Sequence, residues 1–133
     1  MIPLKSPKDL VLLKRSGEIL ARVMQKLQTA LRPGMTTLDI DLLSADLIRR
    51  EKAQAAFKDY KGFPATACVS VNEEIIHGIP GSRVLLEGDI VSIDLGVNYK
   101  GFFSDMAVTL PVGKVADDRL KFCLLYTSDA ADE

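Results

Sequence analysis

Apolar positions recur at three- and four-residue spacing from the start of the chain, with Leu10, Leu13, Gly17, Leu20, Met24, Leu27 and Leu31 forming one stripe. That period predicts an amphipathic helix. Its start is marked by Ser6-Pro7-Lys8-Asp9, where a hydroxyl can cap an orphan amide, proline suits the first helical position, and an aspartate meets the positive end of the dipole. Arg32-Pro33-Gly34 ends it. A second helix is expected from Thr36 and Thr37, with Asp39 and Asp41 in the first turn and Leu38, Leu42, Ala45 and Ile48 continuing its apolar face to about Lys52.

From Phe57 the pattern changes. Tyr60-Lys61-Gly62-Phe63-Pro64 reads as a loop and Ala67 to Val71 as a short strand. Asn72 to Arg83 holds two glycines, a proline and the chain's one histidine, which predicts a long ordered loop of the kind that carries function. After the turn Glu87-Gly88-Asp89, Ile90 to Val97 and Phe102 to Leu110 read as two strands joined at Asn98-Tyr99-Lys100-Gly101.

Within the first of these strands the period is two. Val91, Ile93, Leu95 and Val97 share a face, so Ser92, Asp94 and Gly96 share the other. If the hairpin closes through Tyr99-Lys100, or through the four residues Asn98 to Gly101, Asp94 lies directly opposite Asp105. Cβ atoms so paired are ~5 Å apart, and two like charges there are destabilising without a compensating cation. A dinuclear site holds its ions ~3.5–4 Å apart, a scale that a carboxylate pair can bridge. A three-residue loop or a bulge would shift this register, and two solvated aspartates on an exposed hairpin face give the same pattern. Two carboxylates alone are also too few for a transition-metal site.

Composition narrows the function classes. With 133 residues, 47% hydrophobic and 26% charged, the chain falls in the ordinary globular range and suits one domain. Its 17 Lys+Arg against 18 Asp+Glu include no basic run, so nucleic acid is not indicated as a partner. No stretch is apolar enough for a membrane span or laid out as a signal peptide, so a cytoplasmic location is expected. Cys68 and Cys123 are too few and too far apart for a disulfide framework.

Three runs together are more specific. Cys68 to Pro80 (CVSVNEEIIHGIP), Glu87 to Asp94 (EGDIVSID) and Gly101 to Asp105 (GFFSD) resemble type I methionine aminopeptidases in order and spacing, from about Ser6 to about Phe122. The resemblance implies an α+β fold, half of a pita-bread arrangement, with two helices packed on a small antiparallel sheet. It implies a metalloaminopeptidase that removes the initiator methionine from nascent proteins, with two divalent metal ions (cobalt, manganese, iron or zinc) held in part by Asp94 and Asp105. His77 then matches the histidine that contacts substrate and assists catalysis, while Tyr60, Phe63 and Cys68 match the lining of the methionine pocket. Phe63 stands where the family often has tyrosine, and Gly96 where it often has a threonine near the metals. The implied partner is the N-terminal peptide of a nascent protein, with transient ribosome association as a corollary.

The family's remaining ligands, a histidine and two glutamates, belong to the second half of its fold. The chain is therefore expected to be an N-terminal half, residues 1–122, without activity of its own. Residues 123–133 resemble the read-through of a transposase sequencing adapter and are expected to be a non-native tail, an ordinary helix tail being the alternative. Aminopeptidase P and prolidase, which share the fold and the aspartate spacing, are one alternative. A pita-bread domain that has lost its ligands and binds other proteins is another, against which Asp94, Asp105 and His77 argue.

Overall fold

The computed structural model describes residues 1–129. Helix α1 (Pro7–Ala30) begins at a capping box in which the Ser6 hydroxyl accepts from the Asp9 amide and the Asp9 carboxylate accepts from the Ser6 amide. Helix α2 (Thr37–Arg50) begins with the same device, built from Thr36 and Asp39. Next come a two-residue strand β1 (Gln54–Ala55), a 3-10 turn (Tyr60–Gly62), and strands β2 (Ala67–Val71), β3 (Ile90–Tyr99) and β4 (Phe102–Pro111). Among the described residues the expected two helices become three, because α3 (Asp117–Asp129) follows the sheet. The fold is α+β.

All strand pairs are antiparallel. Strand β3 is central, with β1 and β2 along one side and β4 along the other. Val91, Ile93, Leu95 and Val97 are fully buried and pack with α1 and α2 residues in one core. Each such side chain contributes about 1.5–3 kcal/mol through burial, so this face of β3 sets the orientation of the strand.

The expected stripe of α1 is buried at Leu20, Met24 and Leu27, with Leu31 packed against the core, while the expected face of α2 holds at Ile48 and not at Leu38 or Leu42. The buried line of α1 is Ser16, Ile19, Leu20, Val23, Met24 and Leu27, and Leu10 is left exposed. Ser16 is buried because its hydroxyl and that of Ser104 lie 2.9 Å apart, and the Ser104 hydroxyl donates to the Ser16 carbonyl. In α2 the buried line is Thr37, Ile40, Asp41, Ser44, Leu47 and Ile48, so Leu38 and Leu42 face outward. Small polar residues satisfied by neighbouring backbone occupy positions that a hydropathy pattern assigns to the surface.

Asp41 shows this most clearly. Its role is not to complement the dipole at the start of α2, since its Oδ1 accepts from the amides of both Thr66 and Ala67 at 2.8 Å and thereby docks the start of β2 on the helix. A fork from Arg22 to Glu51, at 3.1 and 2.7 Å, ties α1 to the end of α2.

The hairpin register differs from the expected one by two residues. Asp94 pairs with Ala107, and Gly96 pairs with Asp105. The loop is Lys100-Gly101, both at positive φ (51° and 85°), with the Asn98 side chain accepting from the Gly101 amide at 2.9 Å. Two positive φ values in a two-residue loop suit the twist of the flanking strands, and glycine adopts the second without penalty. Because side chains alternate with period two, a shift of two keeps Asp94 and Asp105 on one face, as diagonal neighbours rather than a direct pair.

Helix α3 packs on β4 and runs through the expected boundary between residues 122 and 123. Cys123 is 3% exposed, while Leu124 and Leu125 are exposed. Of the expected tail, residues 130–133 lie outside the described residues. No helix among the described residues is long and apolar enough to cross a membrane.

Asp41→Ala leaves two buried amides without an acceptor and is expected to cost about 2–4 kcal/mol. Urea unfolding followed by circular dichroism measures it, and an unchanged midpoint would show that water satisfies both amides.

Candidate functional site

The face of β3 opposite the core carries Ser92, Asp94 and Gly96, flanked by Cys68 on β2 and by Ala107 and Asp105 on β4. This face opens into a cavity of about 560 Å³ whose lining includes Tyr60, Phe63, Cys68, His77, Asp94 and Asp105. All six residues singled out in the sequence meet there.

Asp94 is held at mid-strand, where the fully buried Ile93 and Leu95 on either side fix its direction. Its Oδ1 is buried and has no hydrogen-bond partner among the described residues. Burial, then the charge of Asp105 and a hydrogen bond shared with it, push its carboxyl up to about 6, while His77 pulls the other way. An acid so placed ionises less readily than an ordinary aspartate, and a cation beside it would favour the charged form. The Cys68 thiol is also buried and is pushed up to about 11, first by desolvation and then by the charges of Asp94 and Asp105. It stays a neutral, polarisable wall rather than a thiolate ligand.

His77 sits on the loop between β2 and β3 at φ +58°, a strained conformation for a residue with a side chain. The next residue explains how the strain is held. A Cβ on Gly78 would collide with the Val69 carbonyl oxygen, so only glycine lets the loop lie against β2. Val69 donates to the Gly78 carbonyl at 2.9 Å, and the Gly78 amide donates to the Ser70 hydroxyl at 3.0 Å.

Phe57 and Ile79 also line the cavity and were missed in the sequence. Ile79 lies inside the motif that carries His77, a signal that was available. Phe57 had no such signal, because its importance depends on Gly96. A Cβ at Gly96 would come within 2.6 Å of the Phe57 ring, so the ring fills the space in which a threonine side chain would stand. The position is therefore occupied by an apolar wall, not merely short of a hydroxyl.

Whether the cavity suits divalent metal depends on its donors. The orphaned Asp94 oxygen and the like-charged Asp105 beside it fit part of a cation site. Among the described residues no group of three or more His, Cys, Asp and Glu side chains is arranged to hold a metal ion, so these two carboxylates are a partial ligand set. Aromatic and aliphatic side chains beside them make the cavity two-sided, apolar on one flank and anionic on the other.

Residues 11–132 match the sequence profile of metallopeptidase family M24. Methionine aminopeptidase 1 of Bacillus subtilis is 44% identical over 121 residues, covering 91% of this chain and 49% of that protein. The methionine aminopeptidase of Borreliella burgdorferi is 49% identical over 112 residues, covering 84% of this chain and 45% of that protein. Among solved structures, methionine aminopeptidase from Rickettsia prowazekii superposes with a TM-score of 0.89 at 31% identity, over 93% of this chain and 50% of that one. An Xaa-Pro dipeptidase from Bacillus anthracis shares the fold, with a TM-score of 0.76 at 23% identity, over 89% of this chain and 32% of that one. The expected pita-bread half is thus the observed fold, and the chain spans about half the length of the curated relatives it matches. With a family match over nearly all its length, the chain belongs to metallopeptidase family M24.

Proposed function

We propose that this chain is the N-terminal half of a methionine aminopeptidase and supplies one wall of its active site. The observation that carries the reading is Asp94, one carboxyl oxygen of which is buried without a partner, lining one cavity with Asp105, His77 and an apolar flank. A family of metallopeptidases requires divalent metal, and the reading assigns two such ions to the Asp94–Asp105 side of the cavity. When bound, they supply Lewis acidity at the scissile carbonyl and a nucleophile at neutral pH. Carboxylate donors suit cobalt, manganese, iron and zinc alike.

The chain's own residues do the rest. Asp94 and Asp105 present two anionic donors from neighbouring strands, their directions set by the core face of β3. Tyr60, Phe63 and Cys68 form an apolar wall in which a methionine thioether meets aromatic rings and a neutral sulfur. His77, exposed at the cavity rim, holds the substrate near its scissile amide. The substrate is then the N-terminus of a nascent protein, which places the enzyme in the cytoplasm with brief ribosome contact. Retention of both aspartates and the histidine on one cavity favours this reading over a non-catalytic binding module, and the lower similarity to Xaa-Pro peptidases favours it over aminopeptidase P or prolidase.

The domain division goes with the reading: residues 1–122 form the half domain and 123–133 an appended tail. Deleting Cys123 to Glu133 removes Cys123 from a buried position, and the expected cost is about 1 kcal/mol. A loss of several kcal/mol in thermal melts would show that the tail belongs to the domain.

Two carboxylates bind a transition ion weakly, so the 133-residue chain supplied with cobalt or manganese is expected not to release methionine from a Met-Ala-Ser peptide. Turnover that follows the chain through purification would overturn the partial-site reading.

Asp94→Asn separates the two states of the site. The folded carboxyl titrates at about 6, above its ordinary 3.8, so the metal-free chain is stabilised by the retained proton at low pH and loses that stability as pH rises through 6. The variant cannot lose it. With chelator present it should match the parent near pH 4 and exceed it by about 1 kcal/mol at pH 7–8. In a chain extended to the length of its relatives, the same substitution should lower peptide hydrolysis about a hundredfold or more. A chelated variant that is strongly destabilised at pH 7 would instead make Asp94 a structural residue.

A further inference from the structure

The loop that carries His77 is fastened unevenly. Its descending limb is pinned to β2 through Gly78 and to α2 through Gly81, whose carbonyl accepts from the Leu38 amide at 3.0 Å and whose amide donates to the Thr37 hydroxyl at 2.9 Å. The Thr37 amide also donates to the Arg83 carbonyl at 2.9 Å. Its rising limb, Glu73 to Ile76, has a backbone bond from the Glu74 amide to the Val71 carbonyl at 3.1 Å, but Ile75 and Ile76 are 83% and 61% exposed and give it little packing. His77 stands where the two limbs meet.

Arg83 joins them. Its Nη1 donates to Glu73 Oε1 at 2.8 Å and to Glu74 Oε1 at 2.7 Å, and its Nη2 donates to Glu73 Oε2 at 3.2 Å. The other Glu74 oxygen, Oε2, lies 2.6 Å from where a Cβ on Gly78 would stand, so this carboxylate is laid flat against the residue next to His77. The guanidinium beside them holds the Glu73 carboxyl below its ordinary range. A planar fork fixes direction as well as charge, which an ammonium does not.

We propose that Arg83 is a positioning residue for His77: by bridging Glu73 and Glu74 it locks the rising limb of the loop to the descending limb and holds the imidazole in the cavity beside Asp94 and Asp105. An exposed ion pair adds little to global stability, so the effect of the clamp is local. The inference rests on reading His77 as a substrate-facing group, although its test needs no peptidase activity.

His77 is the chain's one histidine, so its ring gives a single assignable set of NMR signals. The experiment compares ¹⁵N and ring ¹³C relaxation in the parent chain, Arg83→Met, Arg83→Lys and Glu74→Gln. In the parent, amides 73–77 and the His77 ring should be ordered, with order parameters of about 0.85, and in Arg83→Met they should fall below about 0.6 while the β3 amides stay unchanged. Arg83→Lys keeps the charge but loses the fork, and it should fall between the two. If Arg83→Met does not fold, Glu74→Gln and the parent in 1 M sodium chloride make the same comparison, because salt screens an exposed pair. Order parameters at His77 that match the parent in Arg83→Met, or in Glu74→Gln together with high salt, would overturn the proposal. So would a Glu74→Gln chain that loses order throughout, since that makes the cluster a global structural support. Failure of an extended chain to hydrolyse Met-Ala-Ser with cobalt or manganese would overturn the peptidase reading and leave the relaxation result standing.

Discussion

Strand β3 has two faces that cannot be exchanged, and the site depends on that constraint. Val91, Ile93, Leu95 and Val97 are fully buried, and turning them outward would forfeit about 1.5–3 kcal/mol for each. Asp94 is therefore held on the opposite face with a direction it does not choose. Its unpartnered oxygen is a cost, and its ionised form is disfavoured both by desolvation and by the charge of Asp105. The core supplies the stability that lets the strand carry it. A site built on a rigid central strand is also positioned more closely than one built on loops.

The other parts of the cavity are attached to that strand in turn. Cys68 lies beside Asp94 because β2 pairs in register with β3, and β2 is docked on α2 by the hydrogen bonds that the Thr66 and Ala67 amides donate to Asp41. His77 reaches the cavity through Gly78, which bonds to Val69 and Ser70 on the same strand. The helices, the sheet and the histidine loop thus form one sequence of contacts ending at the carboxylates. The anionic flank and the apolar flank meet at Cys68, which remains neutral because burial, and then the charges of the same carboxylates, disfavour its thiolate form.

Local chemistry was legible where a short stretch decides the outcome. Ser6 with Asp9 and Thr36 with Asp39 announce both helix starts, and both capping boxes are present. The period-two alternation of β3 gives both the buried face and the placement of Asp94. Long-range partners were not legible. Nothing near Asp41 in sequence indicates that it serves Thr66 and Ala67, and nothing near Phe57 indicates that it fills the space beside Gly96. The helix stripes are right at Leu20, Met24, Leu27 and Ile48 but lack Ser16 and Ser44 for the same reason, because these serines are buried by hydrogen bonds that hydropathy does not register.

The sequence by itself determined the element types, the caps, the two faces of β3 and, through three spaced motifs, the family. Those are properties of neighbouring residues, and backbone geometry converts them directly into structure. Only the tertiary structure decided the register of the hairpin, the third helix packed on β4, the burial that lifts Asp94, and the clamp of Arg83 on the His77 loop. Register turned on whether Lys100-Gly101 or Tyr99-Lys100 takes positive φ, a choice settled by the twist of both strands together. Burial and ion pairing join residues distant in sequence, and their energies exist only once the chain has brought those residues into contact.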